Sequence, residues 1–209
     1  MNRKFVGKSN FVLRRVLNTK ENIDILKEFI EVMLNLKIKE AKINPYLEKM
    51  KEHLPAEENF GIADLRIKTT ENEERNVGIQ IIDGEHVLTK MLLYYAQIHG
   101  NQLEYDEDRK IAKTNTINIL DFVLNKDLDY HSRMIVSEGT MTNVINDYLE
   151  IHILQLPKFQ IEDSENITLK QAWMSYLKGE NSIEAIKKSK QIKKLDWLLE
   201  KYWKEEVME

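Results

Sequence analysis

Apolar residues along the chain recur with two different periods. Ile23, Leu26, Phe29, Ile30, Met33 and Leu34 return at three- and four-residue steps, predicting an amphipathic helix over 23–34 that Asn18 or Thr19 can cap. After Asn44-Pro45 a charged, helix-prone piece runs to Leu54-Pro55. The period then drops to two. Over 62–69, Ala63, Leu65 and Ile67 alternate with Ile62, Asp64 and Arg66; over 76–82, Val77, Ile79 and Ile81 alternate with Gly78, Gln80 and Ile82. Both are pleated-strand patterns, and the short polar link at 70–75 predicts an antiparallel hairpin. A helix over 85–98 follows, with Val87, Met91, Tyr94 or Tyr95 and Ile98 on a face and Gly100 as its stop. Strands are predicted at 116–124 and at 147–156, where Pro157 ends the second. The last third is helical, over 168–178 around Trp173 and over 182–203 with Ile183, Ile186, Ile192, Leu195 and Leu199. This order argues an α/β fold, a mixed central sheet flanked by helices. Residues 1–160 form the core of this expectation and 161–209 a C-terminal helical extension of the same unit.

Composition narrows the function classes. The 209 residues carry 31 Lys plus Arg against 35 Asp plus Glu, net −4, so any nucleic-acid contact must come from a local patch. No cysteine is present and there are only five histidines, which excludes thiolate metal sites and Cys nucleophiles and argues against a multi-His zinc site. No stretch approaches the ~20 apolar residues of a membrane span. The segment Met1 to Gly7 begins with charge and lacks a signal-peptide apolar core, so a cytoplasmic location is expected.

The informative chemistry lies on the polar side of the hairpin. Alternation lets Asp64 and positions 78 and 80 project from one side, on strands about 5 Å apart. A second carboxylate beside Asp64 would complete an oxygen-rich site of the kind Mg²⁺ prefers, able to activate water for phosphodiester cleavage.

Gly61-Ile62-Ala63-Asp64-Leu65 followed by Val77-Gly78-Ile79-Gln80 resembles the Asp…Glu-x-Gln core of the PD-(D/E)XK nuclease superfamily, in its recombination-promoting nuclease (Rpn) and transposase branch. The resemblance continues in order along nearly the whole chain. Residues 11–36 look like the helical entry of that branch, Lys90 to Tyr94 and Gln102-Leu103 like its Arg-x-x-x-Tyr helix and Gln-Leu pair. Residues 117–120, Tyr130-His131-Ser132, the run 149–158 ending Gln155-Leu156-Pro157-Lys158, and Trp173 with Leu177 complete the series. The resemblance implies a restriction-endonuclease-like fold acting on DNA. It implies Mg²⁺ held by Asp64 and the Ile79 carbonyl, Gln80 positioning water or substrate, and Lys90 and Tyr94 beside the site.

Three departures bear on activity. The family's catalytic Glu falls on Gly78, Lys90 stands where the branch has Arg, and Gln155 stands where it has Glu. Losing one of two carboxylates weakens a hard-cation site, and Lys cannot reproduce a bidentate guanidinium contact, so weak or absent cleavage is expected. Glu85, Glu28 and Glu31 are the candidate substitute carboxylates; their alternative is helix-end and solvated-face positions. His86 and His99 read as structural or exposed, His152 as a satisfied core histidine. Lys187, Lys190 and Lys194 fall near one side of the last predicted helix and form a candidate phosphate-binding stripe, the alternative being a solvated face. Two functions therefore compete: a metal-dependent DNA endonuclease or transposase-like enzyme, and a non-cleaving relative that binds DNA, pairs with itself or joins an active nuclease subunit.

Overall fold

The computed structural model describes residues 10–44, 61–82, 84–100, 102, 111–137, 144–161, 166–180 and 182–206. The helix-prone piece at 45–55 lies outside them. Six strands form one mixed sheet in the order β1-β2-β3-β4-β6-β5, comprising β1 (Ile38–Ile43), β2 (Ala63–Thr69), β3 (Glu74–Ile81), β4 (Lys113–Leu120), β5 (His131–Ser137) and β6 (Val144–Gln155). The β2-β3 hairpin is antiparallel, and β3-β4 and β4-β6 are parallel. A parallel pair needs a crossover, and helix α3 (Val87–Gly100) supplies it between β3 and β4. Central β3 and β4 are buried along most of their length; edge strand β1 alternates Lys39, Glu40 and Lys42 toward solvent, as an edge that avoids pairing with other chains does.

The two sheet surfaces carry different helices. Helices α1 (Asn10–Leu17), α2 (Ile23–Leu34), α4 (Leu169–Lys178) and α6 (Lys190–Glu206) share a core with Leu65, Ile67, Val77, Ile79, Ile117 and Ile119. On the other surface α3 packs Val87, Met91 and Tyr95 against Leu120, Ile151 and Ile153.

Several element boundaries differ from the sequence expectation, each for a local reason. Strands β1 and β5 were not anticipated: β1 is short and charged, and the only apolar residues of β5 are Met134, Ile135 and Val136. Strand β4 starts three residues before the expected 116 because the buried Thr114 and Asn115 read as polar loop. Helix α3 begins at Val87, after His86 at φ 61°, so Glu85 stands outside its first turn. Neither Asn22 nor Thr19 caps its helix through a side chain; Asn22 instead donates to the Val16 carbonyl at 2.7 Å.

The expected helix over 182–203 is broken at Ser189 into α5 (Ser182–Lys188) and α6. Ser189 Oγ accepts from the backbone N–H of Gln191 and Ile192, both at 3.1 Å, capping α6, while its hydroxyl donates to Glu28 Oε1. The same carboxylate accepts the indole N–H of Trp173 at 3.0 Å. Trp173 is buried edge-on against Phe29, with ring centroids 5.2 Å apart. Glu28 thus joins three helices far apart in sequence. Glu28→Ala, which leaves the Trp173 indole N–H without its acceptor, is expected to lower unfolding free energy by about 1–3 kcal/mol, and Glu28→Gln by less, measured by urea denaturation.

Candidate functional site

The hairpin register places Asp64 directly opposite Gly78, and Gly78 opposite Thr116; Gln80 pairs with Asn118. Asp64, Gly78 and Gln80 therefore lie on one sheet surface, the one that α3 covers. Asp64 is only 4% exposed, and its Oδ1 has no hydrogen-bond partner among the described residues. Burial pushes its carboxyl well above the usual carboxylate range, because an anion there has lost its water without gaining a donor.

Beside Asp64, the space that a residue-78 side chain would need is filled. A Cβ placed on Gly78 would lie 2.3 Å from Ile98 Cδ1 and 2.8 Å from the Tyr94 hydroxyl oxygen. The same phenol crowds Gly61, where a Cβ would lie 1.9 Å from the hydroxyl oxygen. Tyr94 donates to the backbone carbonyls of Ala63 and Ile79 at 3.4 and 3.5 Å. Its phenol is raised well above the ordinary value, by burial first and by the neighbouring Asp64 second. Arg14 of α1 reaches the same corner, its Nε donating to the Gly61 carbonyl at 3.0 Å.

Gln80 is committed elsewhere. Its Nε2 donates to Asn118 Oδ1 at 2.5 Å, and Asn118 donates in turn to Thr116 Oγ1 at 3.2 Å and to the His152 carbonyl at 3.0 Å. This buried amide chain ties β3, β4 and β6 together. The Ile79 carbonyl accepts the Ile62 N–H at 2.5 Å as well as the Tyr94 hydroxyl. Lys90 is half-buried in the first turn of α3, its Nζ 3.9 Å from where a Cβ on Gly84 would sit.

The three substitute carboxylates are not brought to Asp64. Glu28 is held by Trp173 and Ser189, and Glu31 Oε1 accepts the Ile38 N–H at 2.7 Å; both belong to α2, on the opposite side of the sheet. The Glu85 side chain is 93% exposed beside His86. Nor do the lysines form one stripe. Lys187 pairs with Glu184 on α5, whereas Lys194 on α6 folds onto α2, its Nζ donating to Asp24 Oδ1 at 2.8 Å and to the Glu21 carbonyl at 2.6 Å. The break at Ser189 separates Lys187 from the other two.

Gln155 and Lys158 have a structural role here. Gln155 Oε1 accepts the N–H groups of Leu124 and Asn125 at 2.8 and 3.0 Å, and its Nε2 donates to the Asp129 carbonyl at 3.2 Å. Lys158 Nζ donates to the carbonyls of Asn125, Lys126 and Leu128. Together they hold the irregular 121–130 segment. Gln102 does the same between α3 and β4, exchanging hydrogen bonds with both backbone groups of Ala112.

A six-stranded mixed sheet with helices on both faces, carrying an acid and an amide on adjacent strands of a hairpin, is the restriction-endonuclease-like α/β arrangement. Residues 8–207 match the family model described as PD-(D/E)XK nuclease family transposase, and the chain belongs to that family. No curated protein and no solved structure gives a match. Among the described residues no helix is long and apolar enough to cross a membrane.

Nucleases of this superfamily generally work with divalent metals, and the residues around Asp64 do not fit one. A hard cation takes six or more oxygen ligands, several of them anionic. Asp64 offers one carboxylate, the Ile79 carbonyl already accepts an N–H and a hydroxyl, and ring and methyl carbons occupy the place of the second acid. Among the described residues no three His, Cys, Asp or Glu side chains converge in a way that would hold a metal ion.

Sequence reasoning passed over a second polar cluster, built from Arg75, Lys113, Arg133, Glu150, His131 and His152 on the other sheet surface. The signal was present: Glu150 and His152 alternate with Leu149, Ile151 and Ile153 along β6 and had to share a surface.

Proposed function

We propose that this chain is a non-cleaving member of the nuclease and transposase family that keeps the fold to bind DNA, the substrate class of that family. The observation that carries this reading is the packing at Gly78. The vacated acid position is occupied by Tyr94 and Ile98, so the lost ligand has been replaced by core rather than left as an opening. Gln80, bonded to Asn118, likewise serves the sheet rather than a water or substrate.

One observation favours the competing reading of residual Mg²⁺-dependent endonuclease activity: Asp64 is retained, with a buried oxygen that nothing described satisfies. Supercoiled plasmid incubated with the protein and Mg²⁺ or Mn²⁺ separates the two. The expected result is no nicking above that of Asp64→Ala, together with retardation of DNA in a gel shift. Nicking by the wild type that Asp64→Ala abolishes overturns the non-cleaving reading. Absence of any DNA retardation transfers the proposal to a protein-interaction role, either as a homodimer or beside an active nuclease subunit.

A further inference from the structure

On the sheet surface opposite Asp64, helices cover Val77, Ile79, Ile117 and Ile119, but toward the starts of β3 and β4 the same surface turns polar. There the register sets Arg75 beside Lys113, Asn115 beside Glu150, and His152 beside Arg133. Glu150 lies at the centre. Its Oε1 accepts Arg133 Nη1 at 2.8 Å, its Oε2 accepts Asn115 Nδ2 at 2.6 Å, and Lys113 and Arg75 stand 3.6 and 3.7 Å from Oε2. Burial works to raise the Glu150 carboxyl, but these donors outweigh it and hold it below the usual range, so Glu150 stays ionised.

The cluster has more positive charge and more hydrogen-bond capacity than Glu150 uses. Three cations surround one carboxylate, and the only other acid paired with them is Glu73, on Arg75 at 2.6 Å. Like charges held this close repel one another unless a further anion is shared among them. Two buried nitrogens, Arg75 Nε and His152 Nε2, have no hydrogen-bond partner among the described residues, and the His152 side chain is only 8% exposed. His152 Nδ1 is paired with His131 Nε2 at 3.0 Å. Burial and, after it, nearby charges that include Lys170 bring these histidines down to about 4 and about 3, so both are neutral at physiological pH. Arg133, on edge strand β5, commits one Nη to Glu150 and leaves its side chain 58% exposed. A planar guanidinium with spare donors at the surface, backed by two further cations, matches a phosphate.

We propose that this corner binds a phosphate group of a DNA strand, with Arg133 as the outward contact and Lys113 and Arg75 as the flanking charge. The inference rests on the DNA-binding reading above and locates the surface that would serve it, on the opposite side of the sheet from Asp64.

The test is fluorescence anisotropy of a labelled duplex over a salt series, for the wild type, Arg133→Gln, Lys113→Gln and the control pair Lys187→Gln/Lys190→Gln. Thermal melts confirm that each variant is folded. A parallel arm titrates inorganic phosphate and follows the imidazole ¹H–¹⁵N signals of His131 and His152. Arg133→Gln is expected to weaken DNA binding about tenfold and to reduce the salt slope by about one, with the control pair near wild type. If DNA binds but only the control pair loses affinity, the corner is overturned and the DNA-binding reading stands. If DNA does not bind but phosphate shifts the His152 signal, and Arg133→Gln abolishes that shift, the anion site stands and the DNA reading fails. If neither ligand is felt, both are overturned.

Discussion

Gly78→Glu is expected to lower unfolding free energy by about 3 kcal/mol or more, and to leave plasmid DNA uncut, rather than to restore a nuclease. Sequence logic alone points the other way, since it returns the acid that the family carries. The packing decides against it: even a Cβ would fall 2.3 Å from Ile98 Cδ1 and within 3 Å of the Tyr94 ring and hydroxyl. Overpacking of this kind costs about 1–3 kcal/mol, and a carboxylate buried beside Asp64 adds the penalty of a second unpaired charge. Gly78→Ala isolates the steric part and is expected to show a smaller loss. Enlarging the space with Ile98→Ala in the Gly78→Glu background should recover part of the stability that Gly78→Glu loses. Urea denaturation of the variants checks this; a Gly78→Glu protein as stable as wild type that nicks plasmid would show that the site opens readily and that its metal chemistry was merely dormant.

The second large effect belongs to Asp64. Its folded-state carboxyl is raised well above the ordinary value by burial, so the folded protein holds this proton more tightly than the unfolded chain. The linkage sign follows. The contribution is fully present below the unfolded value of about 4, and is lost progressively as pH rises from there through the raised folded value. Asp64→Asn keeps the shape, removes the titration, and is expected to be more stable than wild type at neutral pH by about 1–3 kcal/mol, the margin closing as pH falls toward about 4. Denaturation curves across that pH range measure both the sign and the closing margin. A wild type that gains stability toward neutral pH relative to Asp64→Asn would mean that the ionised acid has a partner, and a stabilising response to added Mg²⁺ or Mn²⁺ would identify it as a metal.

These expectations together separate a retained residue from a retained function. Asp64 and Gln80 keep their strand positions opposite the family pattern, yet one is an acid without water and the other an amide spent on Asn118. The same holds for Gln155 and Lys158, which hold a turn, and for Glu28, which clamps Trp173 to Ser189.

The sequence by itself determined the order of the main elements, the hairpin around Asp64, the amphipathic face of α2 and the membership of the family, because periodicity and ordered motifs are local properties of the chain. It also exposed the missing acid at Gly78. Only the tertiary structure decided what replaced it: Ile98 and Tyr94 lie 20 and 16 residues further along, on a helix whose rotation over the sheet no local pattern specifies. The break at Ser189 and the separation of Lys187 from Lys194 likewise depend on Glu28, which reaches Ser189 across 161 residues. The cluster around Glu150 was hidden for the same reason. Its members come from four strands, and a parallel sheet joins such residues by register across crossovers, a geometry that spacing along one chain does not contain.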